Sequence, residues 1–256
     1  TMITILSPAK RMNYSDPVLT EKCTIPVYVN ESEKIMNKLK KLRPAAIKKL
    51  MSINDMLSET NYDRFQNWQP TFDLSVARQA LTTFKGDVYL GIDAASYTDS
   101  DFAEAQKSIR ILSGLHGILK PLDLIRPYRL EMGTKLKIGR ADSLYEFWGD
   151  KILNSIKEEP EFKKDNTLVN LASQEYSNAI PLSKLQGRVI TPSFKEFKNG
   201  SYRPIHIFLK KARGYMTSYI VKNRIEDPES LKLFDLEGYE YNDKLSNGDN
   251  WVFTRG

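Results

Sequence analysis

Apolar positions recur at helical spacing over several stretches of the chain, with short β-branched runs between them, so helices and strands are predicted to alternate. Ile3, Ile5 and Leu6, with Pro8 just beyond, predict a buried strand that leaves its end as a loop. Ile35, Leu39 and Leu42 predict a helix over 31–41, and Pro44 opens a second over 45–57 with Ile47, Leu50 and Met51 inward. A helix over 74–84 and a strand at 88–90 follow. The next helix, over 99–111, has Asp99, Asp101 and Glu104 to suit its positive end. Beyond a glycine-rich centre the pattern predicts a helix over 144–156 and a strand over 167–171. Two strand-like runs, 188–197 and 202–207, flank Asn199-Gly200, a strong hairpin signal. A helix over 208–225 and strands at 238–241 and 251–254 complete the chain. No internal repeat or linker is evident. The predicted fold class is therefore α/β, a mixed β-sheet with surrounding helices in one domain over 1–256.

The centre, residues 112–133 (LSGLHGILKPLDLIRPYRLEMG), combines glycines, prolines and cations with dense apolar character. The helix before it is expected to run into Ser113-Gly114, and 118–125 to start a second, short helix. Between them Gly114 and Gly117 would leave backbone N–H groups uncovered, a pocket for an anion. Lys120, Arg126 and Arg129 would add full charges. That arrangement is helix-hairpin-helix-like and would hold a nucleic-acid backbone without reading bases. It departs from the usual motif because both Leu115 and His116 stand between its glycines. The competing reading is a helix stop followed by a buried loop.

Composition narrows the field. The chain has 256 residues and 41% hydrophobic content, enough for a full core, and 38 basic against 32 acidic residues leave a net charge of +6. That balance mildly favours a polyanionic partner. The single cysteine, Cys23, excludes an internal disulfide, and no apolar run is long enough for a membrane span. Residues 1–6 lack a basic leader, so a cytoplasmic location is expected. Thr1, ahead of Met2, carries no argument.

Metal chemistry finds little support. His116 and His206 are the only histidines and neither sits at zinc or di-iron spacing, while a P-loop and a dinucleotide fingerprint are both absent. No cofactor is expected. Catalytic candidates are the carboxylates Glu131, Asp150 and Glu175. Each also has a structural reading: Glu131 paired with Arg129 or Arg126, Asp150 closing a turn after Gly149, Glu175 in a first helical turn.

At residues 112–133 the chain closely resembles the YaaA family of peroxide-stress proteins. The likeness continues in Ser7-Pro8-Ala9-Lys10, Phe84-Lys85-Gly86-Asp87-Val88-Tyr89, Phe147-Trp148-Gly149-Asp150, Asn170-Leu171-Ala172-Ser173 with Glu175-Tyr176, Lys211-Ala212-Arg213-Gly214 and Glu237-Gly238-Tyr239. One departure is His116, where the family usually has tyrosine. The resemblance implies a cytoplasmic protein that limits free iron and oxidative DNA damage during peroxide stress, and that binds DNA through a positively charged cleft.

Three functions are thus carried forward. The first is sequence-independent binding of DNA, including branched or distorted forms, through Lys10, Ser113, Gly114, Gly117, Lys120, Arg126, Arg129, Lys211 and Arg213. The second is an enzyme acting on a phosphorylated or nucleotide-like small molecule in the same cleft. The third is a scaffold for an acidic protein. Geometry separates the first two, because a duplex needs a long open groove and a nucleotide a closed pocket.

Overall fold

The computed structural model describes residues 2–256, and Thr1 lies outside them. Its frame is an eight-stranded mixed sheet. We label its strands β1 (Ile3–Leu6), β2 (Ile109–Ser113), β3 (Gly117–Leu119), β4 (Thr167–Asn170), β5 (Arg188–Lys198), β6 (Ser201–Arg203), β7 (Glu240–Tyr241) and β8 (Asn250–Arg255). Across the sheet the order is β7-β8-β5-β4-β1-β2-β3, with β6 folded back on β5. The run β8-β5-β4-β1-β2 is parallel, and β7, β6 and β3 are antiparallel to their neighbours.

The central strands have no polar face to show. All four residues of β1 and of β4 are buried, as expected of parallel strands covered on both sides. From β1 the chain builds first toward β2 and β3, then returns to the other side of β1 with β4 and β5. The order therefore reverses between β1 and β4, and a crevice is expected at the carboxyl ends of those two strands.

The expected β5–β6 hairpin is present. Asn199 (φ 52°) and Gly200 (φ 79°) supply the two positive dihedrals that a tight turn of matching twist requires. The helices α1 (Val29–Leu39) and α2 (Pro44–Met51) also form, but α2 stops at Ser52 and a separate helix, α3 (Asp55–Asn67), starts after the Asn54 cap. The final helix, α6 (His206–Lys222), packs on the short helix α4 (Asp87–Ile92) through facing glycines. A Cβ on Gly91 would stand 2.2 Å from the Lys211 carbonyl oxygen, and one on Gly214 2.0 Å from that of Val88.

Several expected elements differ. Residues 88–90 belong to α4 rather than to a strand, because their place is the contact with α6. Residues 74–84 hold only a four-residue helix between short strand pairings. The helix over 144–156 is broken at Gly149 (φ 48°) into Leu144–Trp148 and Lys151–Glu158. Helix α5 (Asp99–Ser108) begins on a capping box between Thr98 and Asp101 but ends at Ser108, and the β-branched run from Ile109 continues as β2.

The helix-hairpin-helix-like element is corrected outright. Residues 109–133 contain no helix; Ser113 to Gly117 is the turn of a β-hairpin in which Ile111 pairs with Leu119 and Leu112 with Ile118. Helical periodicity lost here because β2 satisfies its backbone groups on both sides, against β1 and β3, while burying every side chain.

Candidate functional site

At the crevice between the carboxyl ends of β1 and β4, two serines meet. The Ser173 N–H donates to Ser7 Oγ at 2.8 Å, and Ser7 Oγ lies 3.2 Å from Ser173 Oγ as its donor. Ser173 occupies the N-cap position of the short helix Gln174–Ser177, but its hydroxyl caps nothing and is held across the sheet instead. Tyr89, on α4, donates its hydroxyl to the Ser7 carbonyl at 3.0 Å, which fixes α4 against the same loop.

These contacts shape a cleft of about 390 Å³. Ser7, Lys10 and Arg11 form one wall, Lys85, Gly86 and Asp87 a second. Glu131, Ser173, Glu175 and Tyr176 line a third, and Lys210 and Arg213 enter from α6. A hollow of about 400 Å³ adjoins it and shares Arg11, Lys85, Gly86 and Tyr89, so the space extends beyond that of a bare ion.

Charge in the cleft is unevenly settled. Glu131 takes the Arg129 guanidinium at 3.0 Å and the Lys10 ammonium at 3.6 Å, and its side chain is 17% exposed. Glu175 accepts the Gly133 N–H on Oε1 at 3.0 Å. Lys85 is paired with Asp16 at 2.9 Å. Arg213 differs: burial lowers its pKa, and no carboxylate among the described residues comes within 4.0 Å of it. Arg110 and Arg255, by contrast, each have an acid, Glu159 and Glu196 respectively. A guanidinium stays protonated throughout the ordinary pH range, so the cleft holds an uncompensated, partly desolvated cation.

The expected site residues divide accordingly. Lys10, Arg213, Glu131 and Glu175 are brought together in the cleft. Arg129 stands behind Glu131 and orients it, the pairing anticipated as that acid's structural reading. Lys211 is half-buried on α6, and its neighbour Lys210 lines the cleft in its place. Asp150 is not among the residues that line it; it is exposed and paired with Lys184 at 3.0 Å. Lys120 follows β3, whose antiparallel course carries it to the opposite end of the sheet, 4.0 Å from Glu159. Arg126 is held elsewhere, donating to the Thr71 carbonyl at 2.7 Å and hydroxyl at 2.9 Å.

Ser113, Gly114 and Gly117 require the firmest correction, since all three are buried. Ser113 Oγ is bonded to the Tyr128 hydroxyl at 2.7 Å and accepts the His116 N–H at 3.1 Å. Trp148 Nε1 donates to the Gly114 carbonyl at 3.0 Å, and a Cβ on Gly117 would stand 2.7 Å from the Trp148 ring. These glycines admit an indole and neighbouring backbone, not a phosphate. His116, fully buried, has its pKa pushed down to about 3 by loss of solvent.

Ser7, Lys85, Gly86, Asp87, Ser173, Tyr176 and Lys210 were not among the expected site residues, yet they line the cleft. Most fall inside the motifs that carried the family likeness. The usable signal was that those motifs follow strands or open helices, where a sheet of this type collects its ligand groups. Among the described residues no group of three or more His, Cys, Asp or Glu is placed to hold a metal ion, and no helix is long and apolar enough to cross a membrane.

Comparison with known proteins finds relatives over nearly the whole chain. A family model described as peroxide stress protein YaaA matches residues 2–245. A UPF0246 protein of Teredinibacter turnerae is 49% identical over 254 residues, covering 99% of each chain. UPF0246 proteins of Saccharophagus degradans and Colwellia psychrerythraea are 48% and 46% identical over the same length and share. The chain therefore belongs to the peroxide stress protein YaaA family.

Proposed function

We propose that this protein serves in the cytoplasm during peroxide stress by binding, and acting on, a small phosphorylated or nucleotide-like molecule in the cleft between β1 and β4. The observation that carries this reading is Arg213, a partly desolvated guanidinium with no acid of its own on the wall of a bounded cavity. A planar fork of donors suits a phosphoryl group, and an anion there would supply the missing countercharge. Glu131, Glu175 and Asp87 are the carboxylates that line the cleft for proton transfer, with Ser7 and Ser173 as hydroxyl partners for the ligand. The limiting of free iron and DNA damage that the family resemblance implies is exercised, on this reading, through that ligand.

Calorimetric titration with nucleoside monophosphates and inorganic phosphate tests it. Wild-type protein should bind at least one of them, and R213Q should bind it about tenfold more weakly or worse, the cost of one charge-assisted pair. Absence of binding across the phosphorylated set would remove the reading.

Sequence-independent DNA binding keeps one specific support. Lys10, whose side chain is 66% exposed, stands with Arg11 and Lys210 at the open rim of the cleft. A duplex would meet these cations rather than the buried glycine turn. Gel shifts at two salt concentrations would then show steep weakening with salt, and alanine at all three positions would reduce affinity for every sequence alike.

A further inference from the structure

Arg64, on α3, shares the condition of Arg213. Burial lowers its pKa first, Tyr14 acts in the opposite sense, and the neighbouring Arg129 guanidinium lowers it again. Its side chain makes one long hydrogen bond, Nη1 to Asn61 Oδ1 at 3.4 Å, and no carboxylate among the described residues comes within 4.0 Å. A cation withdrawn from water without a partner is costly, and an external anion would offset that cost.

Arg64 lines a hollow of about 490 Å³ that shares no residue with the cleft between β1 and β4. Arg126 lines the same hollow, its Nε and Nη2 occupied by Thr71 and its Nη1 without a hydrogen bond among the described residues. Asp73 feels the Arg126 charge but stands beyond ion-pair distance. Val76 and Pro127 give the hollow an apolar side above the buried Trp68, and Asp63, the acid on its lining, forms no ion pair among the described residues.

We propose that this hollow is a second ligand site, taking a phosphomonoester whose phosphoryl group bridges the guanidiniums of Arg64 and Arg126 while its organic part packs on Val76 and Pro127. Two unneutralised arginines against a single wall acid favour a doubly charged oxyanion over a singly charged carboxylate. Asp63 is placed to accept a hydrogen bond from a hydroxyl or amine of the organic part. The inference does not rest on the proposed function, since it concerns different walls.

Phenyl phosphate titrated calorimetrically into folded R213Q, where the cleft has lost its anchor, is the test. Saturable binding is expected, and adding R64Q should weaken it about tenfold or more. A second variant guards against misfolding: T60E places a carboxylate one turn before Arg64 on the exposed face of α3, where it pairs within the helix. R213Q/T60E should melt no lower than R213Q and bind phenyl phosphate correspondingly weakly. No binding by R213Q, or unchanged affinity in either double variant, would overturn the proposal. So would duplex DNA displacing phenyl phosphate from R213Q at lower concentration than phenyl phosphate itself, because the occupant would then be a polymer backbone.

Discussion

Ser173 gives its backbone N–H to the hydroxyl of Ser7 at 2.8 Å, joining two loops 166 positions apart in the chain at the place where the strand order reverses. The bond does two things at once. It closes the crevice between β1 and β4 on one side, and it sets the direction of the loop that carries Lys10 toward Glu131. The cleft is thus a product of sheet topology first and of its charges second.

Removing that acceptor should be felt in stability. Ser7→Ala leaves the Ser173 amide without its partner and is expected to lower the unfolding free energy by about 1–2 kcal/mol, read from urea denaturation. Ser173→Ala keeps the amide bond to Ser7 and loses only the 3.2 Å hydroxyl contact, so it should cost less. Equal losses would mean that the hydroxyl pair, not the amide, ties the loops.

Arg213 depends on a contact of a different kind. Gly214 lies against α4 so closely that an added Cβ would stand 2.0 Å from the Val88 carbonyl and 2.8 Å from the Gly91 Cα, both backbone atoms that cannot rotate away. Gly214→Ala should therefore destabilise by about 3 kcal/mol or more in chemical denaturation and shift Arg213 out of the cleft. A variant as stable as wild type would show that α6 and α4 can separate freely.

How much of this was legible in the sequence follows from where local preference and tertiary demand agree. Ile3, Ile5 and Leu6 formed the expected strand because a β-branched apolar run suits a fully covered sheet. Asn199-Gly200 gave its hairpin because the turn needs only local dihedrals. Residues 109–119 failed for the converse reason. Ile109 and Leu112 continue a helical spacing from Phe102 and Ala105, but pairing with β1 on one side and β3 on the other outweighs that propensity. Gly114 and Gly117 look alike whether they face a phosphate or an indole, so the Trp148 ring was invisible. In the cleft, Lys10, Glu131, Glu175 and Arg213 could be named from the motifs that carry them, whereas Lys120, Arg126 and Asp150, named the same way, lie elsewhere. Which cations converge depends on strand direction, and β3 runs the wrong way for Lys120.

His116 makes stability depend on acid. Its pKa falls from the ordinary 6.5 to about 3 because the ring is buried, with Nδ1 3.0 Å from Ser32 Oγ and Nε2 without a partner among the described residues. The unfolded chain therefore binds the proton more readily than the folded one. The contribution is complete above about pH 6.5 and is lost as pH falls through the window from there to about 3, at a limiting slope of about 1.4 kcal/mol per pH unit. Urea midpoints measured from pH 7 down to pH 4 should fall more steeply for wild type than for His116→Gln, which has no proton to take up. Parallel curves would show that the ring titrates normally in the folded state.

Glu159 tests the opposite end of the sheet. It receives Arg110 through both oxygens, Nε to Oε1 and Nη2 to Oε2, each at 2.7 Å, and the side chains are 11% and 3% exposed respectively. Burial alone would raise the Glu159 pKa, but the Arg110 hydrogen bonds and charge outweigh it and the net shift is downward. The pair's stabilisation is therefore present above the ordinary carboxylate pKa and is lost as pH drops below it. Glu159→Gln strands a buried guanidinium and should cost about 3–5 kcal/mol at pH 7, whereas replacing Arg110 by Met and Glu159 by Leu together should recover most of that loss. The gap between wild type and Glu159→Gln should also narrow as the pH is taken below about 4, where wild type protonates the same group. A gap that persists unchanged into acid would mean that Glu159 contributes through packing rather than through its charge.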